Sequence, residues 1–103
     1  MKYPRCGRTF AQDAAAVSEI TGAVRRRTEK TVICKLSPEV TDITDMARAA
    51  EAAGADAVSL INTFPGLSID AGTMKPRIAS VFGGLSGPSV KTIALRMVWK
   101  VFN

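Results

Sequence analysis

The sequence predicts an α/β fold of parallel strands joined by crossover helices, and three observations in its 103 residues support this. Two short apolar runs, residues 31–36 and 57–61, each give way to polar residues. Between them the apolar side chains recur at helical spacing. The strand, helix and strand together occupy about 30 residues, the size of one right-handed parallel crossover.

Taken in order, the first element is a helix over residues 14–27, where Ala14, Val17, Ile20 and Val24 share one face and Asp13 is available as its N-cap. Thr31-Val32-Ile33-Cys34-Lys35-Leu36 is a β-branched run closed by Ser37-Pro38, and it reads as a strand. A second helix covers residues 42–53 on the stripe Ile43, Met46, Ala47, Ala50 and Ala53, with Gly54 placed to stop it. Ala57-Val58-Ser59-Leu60-Ile61 is the second strand.

After Thr63 the pattern breaks into turn chemistry at Phe64-Pro65-Gly66, Asp70-Ala71-Gly72 and Lys75-Pro76, on a loop long enough to invite a functional reading. Residues 78–81 suit a short strand. Gly83-Gly84-Leu85-Ser86-Gly87 then reads as a glycine-rich turn, and Pro88 suits the first turn of a third helix with the stripe Ile93, Ala94, Met97, Val98 and Val101. That turn has two readings at this point: a plain connection into a helix, or a place where bare backbone amides meet a ligand.

Composition narrows the function classes. No apolar run approaches the roughly 20 residues that span a bilayer, and Met1-Lys2-Tyr3-Pro4-Arg5 lacks a secretory apolar segment. The expectation is a cytoplasmic protein without membrane contact. Cys6 and Cys34 stand in a chain with no histidine, which removes the usual zinc spacings and every Ser-His or Cys-His catalytic pair. The net charge of +5 is concentrated only at Arg25-Arg26-Arg27. Cations there complement the negative end of a helix dipole, and no aromatic residues interleave with them, so a solvated helix end is expected and nucleic acid is not.

Two features remain that packing does not require. Lys35 interrupts an apolar strand just before its end, where an ammonium can stabilise negative charge on a ligand or, equally, guard an edge against aggregation. Asn62-Thr63 places an amide and a hydroxyl at the end of the next strand, which is where α/β sheets bind ligands.

Three ordered blocks carry a family resemblance. They are Ile33-Cys34-Lys35-Leu36-Ser37-Pro38-Glu39-Val40-Thr41-Asp42-Ile43, then Ala53-Gly54-Ala55-Asp56-Ala57 through Ile61-Asn62-Thr63, then Gly83-Gly84-Leu85-Ser86-Gly87-Pro88 with Ala94-Leu95-Arg96-Met97-Val98. At this spacing the chain resembles class 1 dihydroorotate dehydrogenases, most strongly the 1B catalytic subunit, from about Gly7 onward. The resemblance implies a β/α barrel with FMN at its carboxyl-end face, and oxidation of dihydroorotate to orotate in pyrimidine biosynthesis. A complete barrel needs about 250 residues, so residues 1–103 are expected to be an incomplete one, its middle third.

Residue by residue, the resemblance implies that Lys35 meets the flavin near its pyrimidine edge. Ile61 packs on the cofactor through its backbone, Gly87 lets backbone approach it, and Asn62 and Thr63 hydrogen-bond the orotate ring. The family's proton-abstracting cysteine stands in a segment that would precede Met1, so no catalytic base is expected in this chain, and Cys6 aligns instead with the lid that follows. Phe64-Pro65 departs from the family's usual aliphatic pair. The implied partners are dihydroorotate or orotate, an iron-sulfur flavoprotein subunit that passes electrons to NAD, and a second copy of the chain. Two other readings stand beside this one: a non-catalytic remnant that associates through open sheet edges, and a piece of the related pyrimidine-degrading flavin barrel.

Overall fold

The computed structural model describes residues 10–103; Cys6 and most of the lid-like segment lie outside them. After a 3-10 turn at Phe10–Gln12 the chain forms α1 (Ala14–Arg25), β1 (Ile33–Leu36), α2 (Ile43–Ala52) and β2 (Ala57–Leu60). Four further strands follow: β3 (Phe64–Leu67), β4 (Ile69–Asp70), β5 (Lys75–Pro76) and β6 (Phe82–Leu85). A 3-10 turn at Pro88–Val90 then enters α3 (Lys91–Phe102).

Both crossover helices begin at aspartate caps. The Asp13 carboxylate accepts a hydrogen bond from the Ala15 N–H, and the Asp42 carboxylate one from the Thr44 N–H, each at 3.0 Å. These satisfy backbone donors that a helix start leaves without partners. Gly54 ends α2 at φ +97°, a conformation that costs a side chain dearly. Its N–H donates to the Glu51 carbonyl and that of Ala55 to the Ala50 carbonyl, the paired bonds of a Schellman stop.

Strands β1 and β2 pair in parallel, with Ile33, Cys34, Lys35 and Leu36 opposite Ala57, Val58, Ser59 and Leu60. Alternation then sorts the side chains. Leu36 is 1% exposed and packs with Val17, Ile43, Met46, Ala47, Ala50 and Met97 in one core, with Cys34, Val58 and Leu60 at its margin. The Thr21 hydroxyl of α1 reaches the Cys34 sulfur at 3.7 Å. Lys35 and Ile33 point the other way, and Ile33 is 61% exposed. Parallel strands are ordinarily covered on both faces; here helices cover one.

The structure corrects several expectations. Helix α1 stops at Arg25, and Arg25 is not a solvated cation: its guanidinium donates to the Asp56 carboxylate at 2.9 Å and to the carbonyls of Thr28 and Lys30. The same Asp56 oxygen accepts the Val32 N–H at 2.8 Å, so Arg25 ties the end of α1 to the starts of both parallel strands. Arg26 and Arg27 are exposed, as expected.

Residues 78–81 form a turn instead of a strand, closed by the Val81 N–H donating to the Ile78 carbonyl at 3.1 Å, and the strand begins at Phe82. The long segment after Thr63 is not irregular either. Phe64–Leu67 pairs antiparallel with Phe82–Leu85, and Ile69–Asp70 with Lys75–Pro76. Gly83 and Gly84 therefore lie in a strand, and the turn is confined to Ser86 and Gly87. On α3, Met97 is buried and Ala94 and Val101 half-buried, but Ile93 and Val98 stay exposed, as do Leu95, Trp99 and Phe102.

Among the described residues no helix is long and apolar enough to cross a membrane. The observed fold is a parallel α/β unit carrying antiparallel ribbons.

Candidate functional site

The site assembles at the carboxyl ends of β1 and β2. Leu36 is held in the core, which by alternation turns Lys35 onto the face that the helices leave open. Its register partner is Ser59, a half-buried residue of β2 on that same face. Beyond β1 the chain turns away at Ser37, whose hydroxyl accepts the Glu39 N–H at 3.3 Å.

The parallel ladder runs one step past β2. The Asn62 N–H donates to the Leu36 carbonyl at 3.0 Å, which seats Asn62 beside the end of β1, next to Lys35. The Leu60–Ile61 peptide between β2 and Asn62 is cis. Ile61 is half-buried and packs at the core margin, while Asn62 and Thr63 are exposed. Among the described residues the Lys35 ammonium, the Asn62 side-chain amide and the Thr63 hydroxyl make no hydrogen bond or ion pair with the chain. One cation and two neutral polar groups at adjoining strand ends can hold a planar polar ligand that carries or develops negative charge.

Thr63 links this end of the sheet to the glycine-rich segment. A Cβ built on Gly84 would overlap the Thr63 hydroxyl and stand 2.8 Å from Thr63 Cβ. The two residues are in direct backbone-to-side-chain contact. Gly87 differs: it adopts φ +93°, and nothing lies within 4 Å of where its Cβ would stand. Its backbone borders open space at the entry to the Pro88–Val90 turn, where a ligand can approach the main chain closely.

The sequence-based assignments thus divide. Lys35 in β1 and Ile61, Asn62 and Thr63 after β2 lie at the carboxyl ends of the two paired strands, with the Asn62 backbone bonded to the residue next to Lys35, and Gly87 lies at the end of the segment that Thr63 packs against. Reading along the chain missed Ser59, which no motif marks and only the β1–β2 register reveals. It also missed the separate character of Gly84, since contact across strands leaves no trace in spacing. A cleft of about 370 Å³ lies elsewhere, at the amino end of β2, between Thr44, Arg48 and Glu51 of α2 and Val101 and Phe102 of α3. Ligand sites of parallel α/β units sit at the carboxyl ends of the strands, so that cleft is not the candidate site. No group of three or more metal-binding side chains occurs among the described residues.

Comparison with known proteins agrees with the resemblance. The chain is 56% identical over 95 residues to a protein of Phocaeicola vulgatus named dihydroorotate dehydrogenase B (NAD(+)), catalytic subunit. It is 58% identical over 95 residues to a protein of that name from Bacteroides fragilis and 53% identical over 95 residues to one from Trichlorobacter lovleyi. Each match covers 92% of this chain and 31% of the relative, so the chain spans about a third of the length of these proteins. The family profile described as Dihydroorotate dehydrogenase matches residues 3–103, and with nearly the whole sequence inside that match, this chain belongs to the dihydroorotate dehydrogenase family.

Proposed function

We propose that this chain supplies part of the FMN and substrate site of an enzyme that oxidises dihydroorotate to orotate in pyrimidine biosynthesis. The observation that carries the proposal is the placement of Lys35, Asn62 and Thr63, all without partners among the described residues, at the carboxyl ends of two parallel strands. Residues 1–103 form the middle third of a β/α barrel in this reading. The uncovered face of β1 and β2, with Ile33 and Lys35 upon it, is then the side that turns toward the barrel interior.

The residues present fit a flavin. Lys35 offers a cation with no counter-ion among the described residues, and Gly87 offers backbone bordered by open space. Bound there, FMN would supply the electron acceptor for the oxidation of dihydroorotate. Lys35 would stabilise negative charge on the ring, Ile61 would hold the flavin through its backbone, and Gly87 would let the main chain approach it. Asn62 and Thr63 hydrogen-bond the substrate ring, fixing its distance and tilt. Proton abstraction is assigned to none of residues 10–103.

The name of the relatives, a catalytic subunit of an NAD-linked enzyme, supports a separate electron-transfer partner, an iron-sulfur flavoprotein in this reading. The exposed Leu95, Trp99 and Phe102 of α3 support burial against further protein, either elsewhere in the barrel or in a second copy. The cytoplasm is the compartment that fits this chemistry. Orotate titration of a full-length catalytic subunit carrying residues 1–103 tests the proposal. A flavin absorbance shift that is lost when Asn62 and Thr63 are both replaced by Ala supports it, and an undiminished shift contradicts it.

A further inference from the structure

We infer that Gly84 is a positioning residue for the Thr63 hydroxyl, and through it sets affinity for the substrate ring. The inference rests on the substrate role proposed above for Thr63. Gly84 lies inside β6 opposite Pro65, and it is not among the residues whose φ is positive. Freedom of the backbone is therefore not what glycine provides at this position. Close approach is: a Cβ would overlap Thr63 Oγ1 and stand 2.8 Å from Thr63 Cβ and 3.2 Å from Thr63 Cγ2. Thr63 Cβ is bonded directly to the backbone and is branched, so it cannot swing aside as the tip of a long side chain can. An added methyl must displace the Thr63 backbone or rotate its hydroxyl, which lies one residue from the ladder bond that holds Asn62 to Leu36.

Gly83 is the internal control. A Cβ there meets only Ile78 Cδ1, at 2.7 Å, and that atom is the far end of a flexible side chain. The same methyl added one residue earlier is thus absorbed by moving Ile78, on the opposite face of the ribbon from Thr63.

The test measures orotate dissociation constants, through the flavin absorbance shift, in a full-length FMN-loaded catalytic subunit carrying residues 1–103. Gly84→Ala is expected to weaken orotate binding about ten-fold or more, an amount comparable to losing one good hydrogen bond, with FMN retained. Gly83→Ala is expected to change it by less than about two-fold. In a Thr63→Val background, which keeps the shape but removes the hydroxyl, Gly84→Ala is expected to add little further loss, the non-additivity of residues acting through one another. A purely structural Gly84 would show equal losses in both backgrounds, which overturns the inference. So would equal effects of Gly84→Ala and Gly83→Ala. Thr63→Val that leaves orotate affinity unchanged would instead remove Thr63 from the substrate site. If Gly84→Ala does not fold, the wild-type protein still decides: the Gly84 amide resonance shifts on orotate addition, and an unmoved resonance overturns the inference.

Discussion

The Asn62 N–H donates to the Leu36 carbonyl at 3.0 Å, so the residue that follows β2 by two positions is hydrogen-bonded to the last residue of β1. That bond joins two segments which are far apart in sequence and gives the site its rigidity. Leu36 is 1% exposed and cannot shift without disturbing the core, and Asn62 inherits its position. The neighbour of Leu36 is Lys35, so a single buried leucine orients the cation on one side of the strand and the amide beyond its end.

Replacing Asn62 by Ala keeps the backbone bond to Leu36 and removes only the side-chain amide. Orotate binding is expected to weaken by about 0.5–1.5 kcal/mol, or more if a substrate group is left unpaired, with FMN still in place. Equilibrium titration of the full-length subunit with orotate reads the loss directly. Release of FMN with unchanged orotate affinity would assign Asn62 to the cofactor.

Leu36→Ala should destabilise the protein by about 2–5 kcal/mol, because it opens a cavity where Val17, Ile43, Ala47 and Ala50 converge. The urea unfolding midpoint is the measurement. Since Leu36 also carries Asn62, orotate affinity should fall in the fraction that remains folded. A variant as stable as the parent would place Leu36 outside the core.

Acid should loosen the start of α2. The Thr44 backbone N–H, then the Thr44 side chain and the Lys100 ammonium, hold the Asp42 carboxyl below its ordinary value of 3.8. Lys100 lies 3.3 Å from Asp42 and so ties α3 to α2. A carboxyl lowered in the folded state adds stability that is fully present above the unfolded value and is lost as pH falls through the folded one. The Asp70 carboxyl is lowered in the same way by the Thr73 N–H and hydroxyl, and behaves alike. Thermal melts between neutral pH and strong acid are expected to show a falling midpoint whose slope is reduced by Asp42→Asn. An unchanged slope would mean that the cap does not titrate.

What the sequence made legible depended on local chemistry. The caps at Asp13 and Asp42, the stop at Gly54 and the apolar stripe of α2 are decided within a few residues, and the structure reproduces them. Lys35, Asn62 and Thr63 stood out because polar residues at the ends of apolar strands have no packing reason to be there. The ribbons were illegible for the opposite reason. Pro65, Gly66, Gly83 and Gly84 are poor strand formers, and their pairing spans residues distant in sequence, as in Phe64 with Leu85. Cross-strand contact also hid the Thr63–Gly84 approach. The anchoring of Arg25 escaped notice because its acceptors, Asp56 and two carbonyls, are unremarkable in sequence.

The central claim is that Lys35 faces a flavin, and anaerobic stopped-flow bleaching of FMN by dihydroorotate tests it most directly. The comparison is between a full-length subunit carrying residues 1–103 and its Lys35→Ala variant, with unfolding midpoints measured alongside. Lys35 is exposed and contributes no hydrogen bond or ion pair within the described residues, so its loss should leave stability nearly unchanged. Removing a charge aimed at developing negative charge should slow flavin reduction on the order of 10²-fold. Bleaching at the parent rate in the variant would contradict the account.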